Sequence, residues 1–283
     1  SLIIRRGVRT GEILVNIVTS TQSRFDSDQY KDTLLSLKLD SVITGIIHTT
    51  NDSRADAVVA ENINILYGRP YYKEEILGLK FNVGAFSFFQ TNVEAAERLY
   101  KDAVSMIDSP EGKTVFDLYC GTGTITQAIA LKAKKAIGIE IVEEAVKTAR
   151  ESACMNGLDN CEFISGDVGE VLDRLRELPD VIVVDPPRAG IMPKALLKIL
   201  SYGVKQIIYI SCNPKTMAGN LRTAILSGYD IKQIKAYDNF AFTKHIECVA
   251  LLSNRNAGKG NYITLDVDLD DYYRIKDEYQ KIK

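Results

Sequence analysis

Two residues in the carboxyl-terminal half of the sequence could act together as a nucleophile and a base. Cys212 follows an apolar run, is followed by the polar Asn213, and lies just before the amino end of the helix predicted over 216–226. A thiol at such a helix end is expected to have a lowered pKa, although a cysteine after an apolar run can also be an inert core thiol. Glu247 precedes the apolar run 248–252, where low-dielectric surroundings should raise its pKa and suit it to general-base catalysis. His245 could orient that carboxylate or could be a structural histidine.

A second group of residues indicates a nucleoside-bearing cofactor. Asp117 lies in one apolar run, and a turn with Gly121 and Gly123 leads from that run into a helix. The glycines permit a tight turn and a close approach of backbone to ligand. Glu140 ends the next apolar run, where a carboxylate could accept hydrogen bonds from both hydroxyls of a ribose. Position 126 is Thr, so the Gly-x-Gly-x-x-Gly pattern of nicotinamide dinucleotide proteins is incomplete.

Two further carboxylates follow the next predicted strands. With Asp117 ahead of the glycines, the turn resembles the first motif of S-adenosylmethionine-dependent methyltransferases, and Asp167 would then accept from the adenine amino group. Glu140 and Asp167 could each instead be solvated loop acids. Asp185 is followed by two prolines, which end the strand and predict a rigid carboxylate at a ligand-facing edge.

The spacing of apolar residues predicts how these side chains are positioned. Strands and helices alternate from residue 113 onward, which is typical of a parallel, doubly wound sheet. The predicted strands are 115–119, 136–140, 162–165, 181–185 and 207–211, and the predicted helices are 124–135, 143–156, 168–178, 193–200 and 216–226. Two further strands, 231–237 and 245–252, are predicted to pair antiparallel and close the sheet because their connection is short.

The remaining segments predict the domain organisation. Residues 1–90 combine alternating strands with one helix over 26–40 and are predicted to form a small α/β domain. A helix over 92–107 is expected to link it to a methyltransferase-like domain over 91–253. Residues 254–283 form a charged carboxyl-terminal extension with a predicted helical stretch.

The composition of the sequence indicates where the protein is located and which metals and partners it could bind. The 283 residues are 46% hydrophobic and 25% charged, with no secretory signal or apolar run long enough to cross a membrane, so we expect a cytoplasmic protein without membrane contact. Five cysteines without a Cys-x-x-Cys pair indicate neither disulfides nor a metal site. The formal net charge of −2 gives no general attraction for nucleic acid, so any RNA would need a local basic patch. No obligate protein partner is indicated.

Five motifs in the same order resemble the RNA (uracil-5-)-methyltransferase family, whose members modify ribosomal or transfer RNA. The resemblance covers residues 1 to 253 and implies an RNA substrate and S-adenosyl-L-methionine as cofactor. The motifs are Ser87-Phe88-Phe89-Gln90, the segment 117–123, Asp185-Pro186-Pro187-Arg188, Ser211-Cys212-Asn213-Pro214 and His245-Ile246-Glu247.

The resemblance also implies roles for individual residues. Cys212 would attack the base, and Glu247 would remove a proton. The residues implied to contact the cofactor are Gln90, Tyr119, Gly121, Thr124, Glu140, Asp167 and Asp185. Family members usually have Pro where Ala241 stands. Many also carry an amino-terminal RNA-binding barrel, and some carry an iron–sulfur cluster on four cysteines, and neither feature is visible in this sequence. We therefore expect this chain to be the carboxyl-terminal part of a longer enzyme.

The expected reaction is methylation of carbon 5 of a uridine, with ribosomal RNA favoured over transfer RNA. Addition of a thiolate to carbon 6 makes carbon 5 nucleophilic, and the uridine must be unpaired or flipped to be reached. Phe88, Phe89 and Arg188 are candidates to stack on the base, although either phenylalanine could belong to the core. The alternatives are a cytosine-5 methyltransferase, which normally has a Pro-Cys dipeptide, an amino-group methyltransferase using Asp185, a non-catalytic RNA-binding module and, most distantly, a nicotinamide oxidoreductase.

Overall fold

The computed structural model describes residues 1–22, 25–52 and 62–257. The larger of its sheets has seven strands: β7 (Thr114–Leu118), β8 (Lys135–Glu140), β9 (Cys161–Ser165), β10 (Val181–Val184), β11 (Gln206–Ser211), β12 (Tyr229–Tyr237) and β13 (Glu247–Asn254). Their order across the sheet is β12-β13-β11-β10-β7-β8-β9. The doubly wound Rossmann-like sheet of five parallel strands and an antiparallel closing pair, predicted from the sequence, is confirmed.

Burial explains why the central strands read as continuous apolar runs. Every residue of β7 and β10 is buried, because helices cover both faces of a parallel sheet. The two strands pair in parallel, with Val183 opposite Asp117 and Val184 opposite Leu118. The chain winds outward in opposite directions from this pair, which makes the β7–β10 boundary the topological switch point where such folds bind ligands.

The helices of this part are α3 (Thr124–Ala130), α4 (Glu143–Met155), α5 (Val168–Arg174), α6 (Pro193–Ser201) and α7 (Pro214–Leu226). Three of their predicted boundaries were wrong by more than one residue. Helix α5 ends at Arg174 rather than at 178, because the chain becomes extended at Leu175. Helix α3 ends five residues before the predicted position 135, where Lys132 and Ala133 both donate to the Ile129 carbonyl. Helix α7 begins at Pro214 rather than at 216, because proline suits the first helical position and the Asn213 side chain accepts from the Lys215 amide.

The preceding part has a four-stranded sheet of β1 (Leu2–Arg6), β2 (Glu12–Thr19), β3 (Val42–Thr50) and β4 (Asn62–Gly68). Helix α1 connects the parallel strands β2 and β3. It spans only Ser27–Leu35 rather than 26–40, because Asp26 is its N-cap and the chain leaves the helix after Ser36. A hairpin, β5 (Tyr71–Ile76) and β6 (Leu79–Gly84), and helix α2 (Val93–Ser105) lead to the larger sheet.

One apolar core joins the two parts. It contains Leu14 and Ile47 of the small sheet together with Val115 and Val249 of the large one. Because this core is continuous across residue 90, it does not separate two domains there, and the domain boundary at residue 90 stays a prediction. The predicted helical stretch of the extension lies in 258–283, outside the described residues. Within the described ranges, no helix has the length and apolar character needed to cross a bilayer, and no cluster of His, Cys, Asp or Glu has metal-binding geometry.

Candidate active site

The predicted site residues meet at one edge of the large sheet. The carboxyl ends of the five parallel strands point to this edge, so the residues that end or follow them lie there together. Strand β13 runs antiparallel to β11, and its first residue, Glu247, therefore reaches the same edge. The residues brought together in this way are Tyr119, Gly121, Glu140, Asp167, Asp185, Cys212 and Glu247.

The turn after β7 has three residues with a positive φ angle: Tyr119 at 67°, Gly121 at 54° and Gly123 at 79°. The two glycines serve different purposes. A Cβ on Gly123 would lie 2.6 Å from the Phe163 ring and 2.9 Å from Ala149, so this glycine permits close packing of the helix and sheet. A Cβ on Gly121 would meet nothing within 4 Å, so this glycine leaves backbone open on the site side. Thr124 is the half-buried first residue of α3.

Glu140 holds this turn against the end of β8. One of its carboxylate oxygens accepts from the Gly121 amide at 3.0 Å, and the other accepts from the Val142 amide at 3.0 Å. Both oxygens are thereby fixed in position, and each still has a second lone pair for a further donor. Paired hydroxyls of a ribose are donors that such a fixed carboxylate could bind.

Asp167 and Tyr119 lie next to each other beyond the ends of β9 and β7. Asp167 is exposed and caps α5, where its side chain accepts from the Glu170 amide at 3.2 Å. Burial, followed by the charge of Asp167, raises the pKa of Tyr119 to about 12. Only one Asp167 oxygen has this capping role, so the other is available for a ligand amino group.

A buried carboxylate, Asp117, and a half-buried one, Asp185, lie at the switch point. Burial, opposed by a 2.6 Å hydrogen bond from Thr126 and assisted by Glu140, raises the pKa of Asp117 to about 7. Its Oδ1 atom has no hydrogen-bond partner among the described residues. Burial and the charges of Asp117 and Glu247 raise the pKa of Asp185 to about 7 as well. An unpaired buried carboxylate oxygen beside a second carboxylate favours a cationic ligand.

These residues fit S-adenosylmethionine better than a dinucleotide. Glu140 and Asp167 offer acceptors for a ribose and an adenine amino group, while the half-buried Asp185 offers a carboxylate to a cationic group of the cofactor. A pyrophosphate at the switch point would instead face two carboxylates.

Cys212 follows β11 and is half-buried immediately before α7. The expectation that the helix end lowers its pKa was wrong. Burial, followed by the charges of Glu247 and Asp185, raises the pKa of this thiol, against the opposing effects of the Arg188 charge and of a backbone hydrogen bond at Cys212. The first amide of the helix end also donates to Asn213 rather than to the sulfur. Burial and two neighbouring carboxylates therefore raise the pKa of Cys212 by more than the helix terminus lowers it.

Glu247 begins β13 and is 9% exposed. Its pKa is raised by burial against the opposing effect of Arg188, which confirms the predicted direction. The predicted orienting role of His245 has no support, because His245 precedes the strand and its Nδ1 contacts the Arg188 guanidinium at 3.4 Å. Within the described ranges, no hydrogen bond joins His245 to Glu247. Arg188 is thus the cation that faces both reactive groups.

Gln90 approaches the site from the segment before α2. Its side chain forms a hydrogen bond with Tyr100, whose pKa is raised by burial and then by the charge of Asp185. Phe89 is buried in the core, 5.7 Å from the Phe81 ring, and is therefore not free to stack on a base. Phe88 is 76% exposed and remains a candidate.

Several residues of this site were not found from the sequence. Tyr100 is a core residue of α2 by spacing, and nothing local indicates that its hydroxyl reaches Gln90. Asn92 donates from Nδ2 to the Asn239 carbonyl at 2.9 Å, a contact between residues far apart in the sequence. Only Thr126, among these three, could have been identified from the sequence. Its hydroxyl lies in the first turn of α3, where it can face the Asp117 carboxylate at the end of the preceding strand.

The strand order and the acidic carboxyl edge define the class of Rossmann-like methyltransferases. Comparison with known proteins identifies the family within that class. The model of the family described as "tRNA (Uracil-5-)-methyltransferase" matches residues 78–255, more than half of the chain, and the chain belongs to this family.

Relatives agree with this assignment. The chain is 48% identical over 256 residues to an RNA methyltransferase of Clostridium tetani and 49% identical over 251 residues to one of Caldanaerobacter subterraneus subsp. tengcongensis. These matches cover 90% and 89% of this chain but only 56% of each relative. Among solved structures, the tRNA (uracil-54, C5)-methyltransferase of Pyrococcus abyssi in complex with S-adenosyl-L-homocysteine matches with a TM-score of 0.75 and 30% identity, over 89% of this chain and 59% of that one.

Proposed function

We propose that the protein transfers a methyl group from S-adenosylmethionine to carbon 5 of an unpaired uridine in structured RNA. The observation that carries this proposal is the meeting of Cys212 and Glu247 at adjoining ends of β11 and β13, where the pairing of Ser211 with Cys248 places them side by side. Family membership and the methyltransferase relatives support the same reaction.

The two residues would divide the reaction between addition and elimination. The Cys212 thiolate forms a bond to carbon 6, and the electron pair of the carbon 5–carbon 6 double bond moves onto carbon 5 and oxygen 4. S-adenosylmethionine, held by Glu140, Asp167 and Asp185, would supply the electrophilic methyl group. Carbon 5 would bond to the methyl carbon as the bond from that carbon to the sulfonium sulfur breaks, and S-adenosylhomocysteine would be the leaving group. The Glu247 carboxylate then takes the proton from carbon 5, the double bond forms again, and the bond between carbon 6 and sulfur breaks to return the Cys212 thiolate.

The test of this function is nucleoside analysis of RNA after incubation with the full-length protein. Unmodified tRNA and 23S rRNA transcripts would be incubated with S-adenosylmethionine, digested and examined for 5-methyluridine by mass spectrometry. We expect 5-methyluridine in one of the two transcripts, and we favour the 23S rRNA transcript over tRNA. Formation of 5-methylcytidine or of an amino-methylated base instead would contradict the proposal.

Replacing Glu140 should weaken cofactor binding. The substitution Glu140→Ala removes the ribose acceptors and both hydrogen bonds to the Gly121 and Val142 amides, so affinity for S-adenosylhomocysteine should fall about 10- to 100-fold. Isothermal titration calorimetry measures this. The matched control is Glu144→Ala, which changes an exposed carboxylate on α4 and should leave the affinity unchanged. Equal affinities for the two variants would contradict the assignment of Glu140.

The pH dependence of Cys212 alkylation and of methylation activity should change when Arg188 is replaced. Since the raised pKa of Cys212 limits thiolate formation at neutral pH, its alkylation by iodoacetamide should accelerate as the pH rises above neutrality. Arg188 lowers the pKa of both Cys212 and Glu247, so Arg188→Met should move the alkylation midpoint and both limbs of the activity profile to higher pH.

Peptide mass spectrometry of the alkylated protein measures the rate at each cysteine separately. The exposed Cys154 provides an internal control, because its alkylation should be the same in both proteins. An unchanged midpoint for Cys212 in Arg188→Met would show that the guanidinium does not act on the thiol.

A further inference from the structure

The loop between β12 and Glu247 presents an unusual aromatic side chain. Phe242 is 108% exposed, the highest value among the large apolar residues that the structure describes as exposed. Its φ angle of 67° lies in the left-handed region, where a residue with a Cβ is strained. A large apolar ring held outward in a strained conformation is a feature that functional sites retain.

The backbone around Phe242 explains how the ring is held. The Thr243 amide donates to the Phe240 carbonyl at 3.1 Å, and Phe242 is the third residue of this turn, with the positive φ typical of a type II turn. Glycine or asparagine is the usual residue at that position, so turn formation does not account for a phenylalanine there.

The turn is fixed against the active site at both ends. Asn239 is buried and its carbonyl accepts from Asn92, which holds the beginning of the loop. At the other end, the Phe240 ring packs edge to face on His245, whose ring contacts Arg188. Phe242 therefore extends from an anchored loop beside the two reactive groups.

The charges near the turn favour a polyanion. Lys244 and Arg188 are exposed, and the Arg188 carbonyl accepts from Asn213, two residues before the exposed Lys215. The loop residues 238–246 contain one acid, Asp238, at the end that lies farthest along the chain from Lys244 and Glu247. An exposed aromatic ring flanked by cations is the arrangement that proteins use to stack on nucleic-acid bases.

We propose that Phe242 inserts into the RNA and stacks on a base that adjoins the target uridine, in the space that the uridine leaves when it turns into the site. This inference rests on the proposed function and adds a positioning residue to it. Stacking by Phe242 would offset part of the energy needed to unstack the uridine, so it would act on RNA binding and not on the methyl donor.

The test is a comparison of Phe242→Gly with Phe242→Tyr in the full-length protein. Glycine removes the ring and relieves the left-handed strain, so the melting temperature should not fall below that of the wild type. Affinity for the unmodified transcript that the wild type methylates should nevertheless fall about 5- to 100-fold, and kcat/KM should fall by the same factor. This is the size of effect expected from the loss of one base–aromatic stack. Tyrosine should restore both within about two-fold, and binding of S-adenosylhomocysteine should be unchanged in both variants.

Equal RNA affinity and equal kcat/KM for Phe242→Gly and wild type would overturn the proposal and point to another role for the ring, such as a protein contact. This result is distinguishable from failure of the proposed function. If the wild type methylates neither tRNA nor 23S rRNA transcripts, the function fails, whereas the affinities of the two variants for the same transcripts still decide whether Phe242 contacts RNA.

Discussion

Replacing Cys212 with alanine should reduce methyl transfer to RNA by at least about 10⁴-fold, because the other described thiols at this edge of the sheet, Cys120 and Cys248, are buried. The loss should be confined to chemistry. Cys212 is half-buried and belongs to none of the three apolar core clusters, so its truncation should leave the melting temperature nearly unchanged. The measurement is the single-turnover rate with tritiated S-adenosylmethionine.

The matched control is Cys248→Ala. Cys248 lies next to Glu247, but it is buried in the core beneath the sheet, so its loss should cost some stability and leave the methylation rate within a few-fold. A Cys212→Ala protein that still methylated uridine at near the wild-type rate would rule out a covalent mechanism through this thiol.

Replacing Glu247 with glutamine should stop the reaction at a later point. The amide cannot take the proton from carbon 5, so turnover should fall about 10²- to 10⁴-fold while the bond from Cys212 to the methylated base is still formed. The protein should therefore accumulate as a covalent complex with RNA. Denaturing gel electrophoresis with labelled RNA measures the complex, and its absence despite lost turnover would indicate that Glu247 acts before addition.

Removal of the Glu247 charge also has a predictable electrostatic effect. This carboxylate raises the pKa of Cys212, so in Glu247→Gln the thiolate should form at lower pH than in the wild type. Iodoacetamide alkylation of Cys212 should accordingly become faster at neutral pH, the opposite of the change expected for Arg188→Met. The opposite signs make it possible to separate charge effects from a general opening of the site.

The fold could be predicted from the sequence because each strand is a short apolar run that ends in a polar or reactive residue. Apolar runs that end in Glu140, Asp185 and Cys212 alternate with helical segments, and this pattern alone requires parallel strands whose carboxyl ends meet. The place of β13 could not be read in the same way. It inserts between β11 and β12, so Glu247 reaches Cys212 through a pairing that no local spacing specifies.

The electrostatics of the site were less predictable than its residues. A helix end next to Cys212 is visible in the sequence, but the opposing carboxylates of Glu247 and Asp185 come from distant segments, and their combined effect reverses the expected pKa shift. Tyr100 and Asn239 were missed for the same reason, because each acts through a contact formed only after folding. Phe242 was unremarkable as a sequence position, since its φ angle and exposure depend on the turn that contains it.

The most direct test of the central claim is intact-mass spectrometry of the full-length protein after incubation with S-adenosylmethionine and RNA that contains 5-fluorouridine. Fluorine at carbon 5 cannot be removed as a proton, so the covalent complex should be trapped. We expect one RNA adduct for the wild type, mapped by digestion to the peptide with Cys212, and none for Cys212→Ala. A cofactor-binding wild type that forms no adduct with tRNA or 23S rRNA, or an adduct that persists in Cys212→Ala, would contradict this expectation.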